Sequence, residues 1–138
     1  MGYSLTQESA DTFLWTFTGE IDAALFHSWF GDTRQRTIEA VPLTVYHIMD
    51  VRAAYTDFAA ILTQMREVGQ AGRSPDGRHT VQVLLVGTDA MARLAANLAK
   101  LPQFGGFEMP MFRSVDDARE YVRIDREKAT TPTRDLNT

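Results

Sequence analysis

The stretch from Leu43 to Val68, LTVYHIMDVRAAYTDFAAILTQMREV, restricts the fold more than any other part of the chain. In its first half Val45, His47, Met49 and Val51 alternate with Thr44, Tyr46, Ile48 and Asp50, and neither set is strongly polar. A strand that is apolar on both sides lies inside its sheet, with other layers above and below it. The second half changes period. Phe58, Ile61, Leu62, Met65 and Val68 follow i, i+3, i+4, i+7 spacing, which predicts an amphipathic helix. Thr56 is placed to cap that helix, and Asp57 suits the positive end of its dipole. An internal strand feeding a helix is the repeating unit of an α/β sheet.

The flanking segments extend that unit. Tyr3 to Glu8 and Thr12 to Thr18 read as strands joined by the turn-forming Ser9, Ala10 and Asp11, so they pair as an antiparallel hairpin. Phe13, Trp15 and Phe17 share one face of the second strand, and Gly19 closes it. After Asp22, an N-cap residue, Ile21, Leu25 and Trp29 recur every fourth position with Phe26 and Phe30 beside them, so a helix follows, open to a break at Gly31 and barred from continuing at Pro42. Gly69 to Arg78 has loop chemistry, Thr80 to Val86 is a β-branched apolar run, and Asp89 can cap a helix carrying Met91, Leu94, Ala95, Leu98 and Leu101. Phe107 to Phe112 reads as a last strand, and Ser114 with Asp117 opens a last helix through about Arg123. The expected architecture is α/β: a single mixed sheet of about five strands with about four helices, in the order ββαβαβαβα. One domain spans residues 1–123, and a polar, disordered C-terminal tail spans 124–138.

With 138 residues the chain can bury roughly 65 to 70% of the surface its unfolded form would expose, enough for one real core. Its net charge of -4 gives no overall attraction to nucleic acid, and no apolar run reaches the ~20 residues of a membrane span. The start of the chain also lacks a basic segment followed by an apolar one, so the expected location is cytoplasmic. Absence of cysteine removes disulfides, thiolate catalysis and cysteine-ligated metals.

Candidate chemistry is sparse. His27, His47 and His79 show no metal-ligand spacing, and His47 on its apolar strand face reads as a satisfied interior or rim histidine. Gly87-Thr88-Asp89 sits where a phosphate-binding turn would, but it has neither glycine pattern of such turns, and Asp89 would repel the anion. Asp50 with Arg52 marks the carboxyl edge of the sheet, where it either pairs locally or accepts from turn amides. No acid/base pair or nucleophile elbow can be assembled, so no enzyme, cofactor or metal is expected.

Three landmarks carry a resemblance to a known family: FLWTFTGEI at Phe13 to Ile21, VYHIMDVR at Val45 to Arg52, and VQVLLVGTDAMARLAANL at Val81 to Leu98. In these the chain resembles the STAS-like superfamily, the fold of bacterial anti-sigma factor antagonists and of sulphate-transporter cytoplasmic domains, and especially its small stand-alone bacterial members. The resemblance implies a non-enzymatic regulatory domain that binds another protein, such as a kinase-like or signalling partner. In the antagonists a serine at the start of the helix after the aspartate-ending strand is phosphorylated. Here AAYTDFA, Ala53 to Ala59, stands in that place, so no serine is available and only Thr56 could take the role.

The expected partner surface is Asp50, Arg52, Tyr55, Thr56 and Asp57. The alternative is a binder of a small apolar ligand or lipid held by Phe26, Trp29 and Phe30. A sheet with one uncovered apolar face would also favour a homodimer.

Overall fold

The computed structural model describes residues 2–71, 73–104, 106 and 108–130, with backbone alone at 66–71 and 129–130. Its elements are β1 (Gly2–Ser9), β2 (Thr12–Glu20), α1 (Ala23–Glu39), β3 (Thr44–Tyr55), α2 (Phe58–Ala71), β4 (Thr80–Val86), α3 (Ala90–Ala99), a 3-10 turn (Pro102–Phe104), β5 (Met111–Phe112) and α4 (Val115–Thr130). The five strands lie in sequence order. β1 pairs antiparallel with β2, and every later pairing is parallel.

That order decides where the helices go. Each parallel connection steps one strand in the same direction, and right-handed crossovers then place all the connecting helices on one face. Accordingly Phe26 and Trp29 of α1, Ile61 and Met65 of α2, and Ala92, Ala96 and Ala99 of α3 form one core with Phe13, Trp15, Phe17, Val45 and Met49. The opposite face is covered by α4, whose Ala118 and Val122 pack on Leu14, Tyr46, Ile48, Leu84 and Val86. Burial on both faces is what makes β3 the middle strand, as its sequence predicts.

Ion pairs and hydrogen bonds staple α4 to the sheet. Arg119 holds Glu8 and Arg126 holds Asp11 at the hairpin end, while Tyr46 and Gln82 both donate to Asp125. The last of these sites explains one departure from expectation. The helix runs on to Thr130 instead of ending near Arg123, because Asp125 and Arg126 are tied to the sheet and Arg123 pairs with Glu120 and Glu127 along its exposed face. Residues 124–130 are therefore helical, and the remaining residues of the expected tail, 131–138, lie outside those described.

Other boundaries move for identifiable reasons. α1 passes through Gly31 without a break, and Thr33 and Thr37 continue its buried stripe, while Ile38 and Val41 are exposed. Gly19 lies within β2 at φ +77 and does not close it. α2 is capped by Asp57, whose Oδ1 accepts from the Ala60 amide, not by Thr56. It also extends to Ala71, so the loop beyond it is shorter than its glycines suggest. Asp89 and Ser114 cap α3 and α4 as expected. The last strand contracts to Met111–Phe112, and Phe107 falls outside the described residues.

The buried threonines of α1 explain His47, which is 1% exposed. The Trp15 Nε1–H donates to His47 Nδ1 at 3.0 Å. An indole nitrogen only donates, so Nδ1 carries no proton and Nε2 does. Nε2–H then donates to Thr37 Oγ1 at 2.8 Å, and that hydroxyl donates to the Thr33 carbonyl at 2.8 Å. The chain is complete only with neutral imidazole, and burial holds the pKa down at about 3.

Candidate functional site

The carboxyl end of β3 is shaped by a bulge. Thr16 pairs with Asp50 but Thr18 pairs with Ala53, so β3 carries one residue more than β2 between them. The extra residue resets the alternation. Met49 and Val51, and then Ala54, all meet the α1–α3 core. Tyr55 ends at the rim, 63% exposed.

Ile21 ties this end to the start of α1. Its amide donates to the Tyr55 carbonyl at 2.9 Å, and its own carbonyl accepts from Thr56 Oγ1 at 3.2 Å and from Gln64 Nε2 at 2.9 Å. Gln64 is buried, so its amide has a structural employment that its position within an apolar helix stripe does not announce. Around this node the starts of α2 and α3 part slightly and leave an apolar cleft of about 70 Å³. Four methionines, Met49, Met65, Met91 and Met109, line it together with Phe26 and Ile61. Unbranched thioether side chains reshape readily around whatever enters. Phe58 stands exposed one turn before Ile61, at 53%.

The sequence-derived residues separate into distinct roles. Asp50 is nearly buried and bound bidentately by Arg52, whose Nε and Nη2 lie 2.9 Å from its two carboxylate oxygens. Burial raises the Asp50 pKa, but the Arg52 hydrogen bonds outweigh it and hold the carboxyl below its usual range. Asp57 is exposed and engaged as the α2 cap, and the half-buried Thr56 hydroxyl is engaged with Ile21. Of the five, Tyr55 presents the most open apolar surface.

Phe26, Trp29 and Phe30 do not converge on one pocket. Phe26 lines the cleft, Trp29 is fully buried between Trp15, Phe17 and Phe26, and Phe30 faces a separate recess between α1 and the segment after α2. The methionines make no pattern along the chain, because they come from β3, α2, α3 and the segment before β5. The available signal was compositional, since these are four of six methionines in the sequence. Among the described residues no group of three or more His, Asp or Glu side chains could hold a metal ion, and no helix is long and apolar enough to cross a membrane.

No protein-family model and no curated relative matches the sequence. Solved structures do match its shape. An uncharacterised protein of the DUF3478 family from Shewanella loihica, described as having a SpoIIAA-like fold, superposes with TM-score 0.57 at 12% identity, covering 87% of this chain and 91% of that one. An anti-sigma factor antagonist from Mycobacterium paratuberculosis gives 0.57 at 15% identity over 88% and 92%. The anti-sigma factor antagonist SpoIIAA in its unphosphorylated form gives 0.56 at 14% identity over 88% and 98%.

The chain therefore has the α/β fold of the STAS-like superfamily. More particularly, one mixed five-stranded sheet with four helices in this order is the SpoIIAA-like arrangement.

Proposed function

We propose that this protein is a non-enzymatic, STAS-like regulatory module that binds another protein through Tyr55, Asp57 and Phe58 at the mouth of the methionine-lined cleft. The observation that carries this reading is the combination of two exposed aromatic rings with a small apolar cleft at the end of the central strand. Exposed aromatic residues beside a pocket are the usual anchors of protein interfaces. Cleft size favours this reading over the apolar-ligand alternative. Pockets that enclose a small ligand run to roughly 300–1,000 Å³, whereas about 70 Å³ suits one apolar side chain inserted from a partner. The anti-sigma factor antagonists of the same fold supply the class of partner to look for, a signalling protein. Asp50 and Arg52 support the surface from beneath, since their bidentate pair stiffens the bulge that aims Tyr55 outward.

Replacing both rings, Tyr55→Ala with Phe58→Ala, is expected to weaken capture of a partner from cells of the native organism about 10- to 100-fold, with the fold intact by circular dichroism. Unchanged capture by the double variant contradicts the reading. Light scattering shows whether the partner is a second copy of the chain.

Thr56 is the switchable hydroxyl in this reading. Its bond to Ile21 joins the start of α1 to the start of α2, and both residues line the cleft. A phosphoryl group there replaces the donor with about two negative charges beside Asp57, breaking the tie and opening the cleft. Thr56→Ala is expected to cost about 1 kcal/mol of stability through the lost hydrogen bond, while Thr56→Glu lowers partner affinity further than Thr56→Ala. Equal affinity for the wild type and both variants, with Thr56 never modified in protein from its native cell, removes the switch.

A further inference from the structure

At the amino ends of the parallel strands, far along α1 from the cleft, the second half of α1 and the segment after α2 enclose a recess of about 130 Å³, well above what one ordered water requires. Thr33, Arg34 and Thr37 form one wall, Arg73 and Ser74 the other, and among the described residues no acidic side chain lines it. Arg52, Arg119, Arg123 and Arg126 are held by carboxylates, whereas among the described residues Arg34 and Arg73, like Arg36, Arg78, Arg93 and Arg113, have no side-chain hydrogen-bond or ion-pair partner; Arg34 and Arg73 are the two of these that line this one recess. Acids close to them in the chain are occupied elsewhere. Asp32 accepts from the Tyr3 hydroxyl, Glu39 from Gln35, and Asp76 from the Arg78 and His79 amides.

The two walls are held in register by His79. Its Nδ1 lies 2.6 Å from Asp76 Oδ2, and its Nε2 lies 2.8 Å from the Ala40 carbonyl that ends α1. Both partners are acceptors, so both ring nitrogens carry protons, and this cation clamps the loop bearing Ser74 to the helix bearing Arg34. Ser74 Oγ is committed only by a long 3.3 Å bond to Asp76 and can turn into the recess. Two unpaired arginines lining one concave site match the charge and the forked oxygen geometry of a tetrahedral oxyanion.

We propose that this recess binds a phosphoryl group, free or carried by a small phosphorylated molecule, through Arg34 and Arg73 with Ser74 as a third donor. The site lies at the opposite end of the sheet from the partner surface, so either assignment can fail without the other.

The test follows the full-length chain by calorimetry and by amide NMR during titration with sodium phosphate, with glycerol phosphate, and with sodium chloride at matched ionic strength. Saturable binding of phosphate with shifts at Thr37, Arg73 and Ser74 is expected, weakened at least about tenfold by Arg34→Gln or by Arg73→Gln. Tighter binding of glycerol phosphate identifies a phosphorylated metabolite as the ligand, and equal binding identifies free phosphate. A phosphate response no larger than that of chloride overturns the proposal. So does saturable binding that both variants, shown to be folded by their thermal transitions, retain in full.

Discussion

Between pH 7 and pH 5 the unfolding free energy is expected to fall by about 2 kcal/mol through the single side chain of His47. The folded protein holds this imidazole neutral with a pKa of about 3, against 6.5 when unfolded. Below pH 6.5 the unfolded chain takes up a proton that the folded chain refuses, and the refusal has a structural cause. A proton on Nδ1 would set two donors, His47 and Trp15 Nε1, against each other at 3.0 Å in a site closed to water. Stability therefore declines as pH falls from 6.5 towards 3, and the full interval is worth about 4–5 kcal/mol.

His79 acts with the opposite sign. The Ala40 carbonyl and then Asp76 raise its pKa, so its contribution is complete below 6.5 and is lost as pH rises through the folded value. The carboxylates held low, Asp50 among them, are lost only nearer their own range below pH 4. Urea unfolding between pH 6 and pH 5 thus isolates His47. In His47→Leu the slope between pH 6 and 5 disappears, and stability at pH 7 drops by about 2–5 kcal/mol because Trp15 Nε1 and Thr37 lose their partner. A wild-type slope equal to that of the variant contradicts the neutral, fully bonded histidine.

The second large effect concerns Gly87, at the junction of β4 and α3. Its φ is not in the positive range, so the requirement is for space and not for backbone freedom. A Cβ at this position would lie 2.6 Å from Ala92 Cβ and 3.3 Å from Val51 Cγ2. Ala92 Cβ cannot swing away, because it is fixed to a helix that packs on the sheet through Ala92, Ala96 and Ala99. Gly87→Ala must push the start of α3 outward, at an expected cost of about 1–3 kcal/mol. Displacement also spreads the cleft, since Met91, Ala92 and Ala95 form one of its walls. Ala92→Gly in the same chain restores the room. The double variant is expected to be more stable than the sum of the single losses predicts by about 1 kcal/mol or more, as measured in a double-mutant cycle. Simple additivity would mean that the contact does not limit the packing of α3.

Much of this architecture is legible along the chain because the signals are local. Val45 to Asp50 shows a strand buried on both faces, Thr80 to Val86 shows its neighbour, and Asp89 and Ser114 mark helix starts with their own side chains. What could not be read depends on partners distant in sequence. Asp125 belongs to a helix because Tyr46 and Gln82 reach it, and a polar segment gives no sign of such a tie. Thr33 and Thr37 break the apolar stripe of α1 for the sake of His47 on another element. The cleft is assembled from methionines on separate elements, and the bulge at Val51 and Arg52, which sets its rim, exists only in the pairing of β3 with β2. Tyr55 could be singled out from its place at the turn, whereas Trp29, equally aromatic, proves to be core.

The partner-binding role of the cleft mouth is tested most directly by photo-crosslinking in cells of the native organism, with a photoreactive residue placed singly at Tyr55, at Phe58 and at Val41. Val41 is 92% exposed and lies beyond the C-terminal end of α1, away from the cleft, so it reports non-specific contact. One discrete protein adduct of the same identity from positions 55 and 58, absent from position 41, is the result expected. No adduct from either cleft position, or the same adducts from all three, contradicts a docking surface at the end of the central strand.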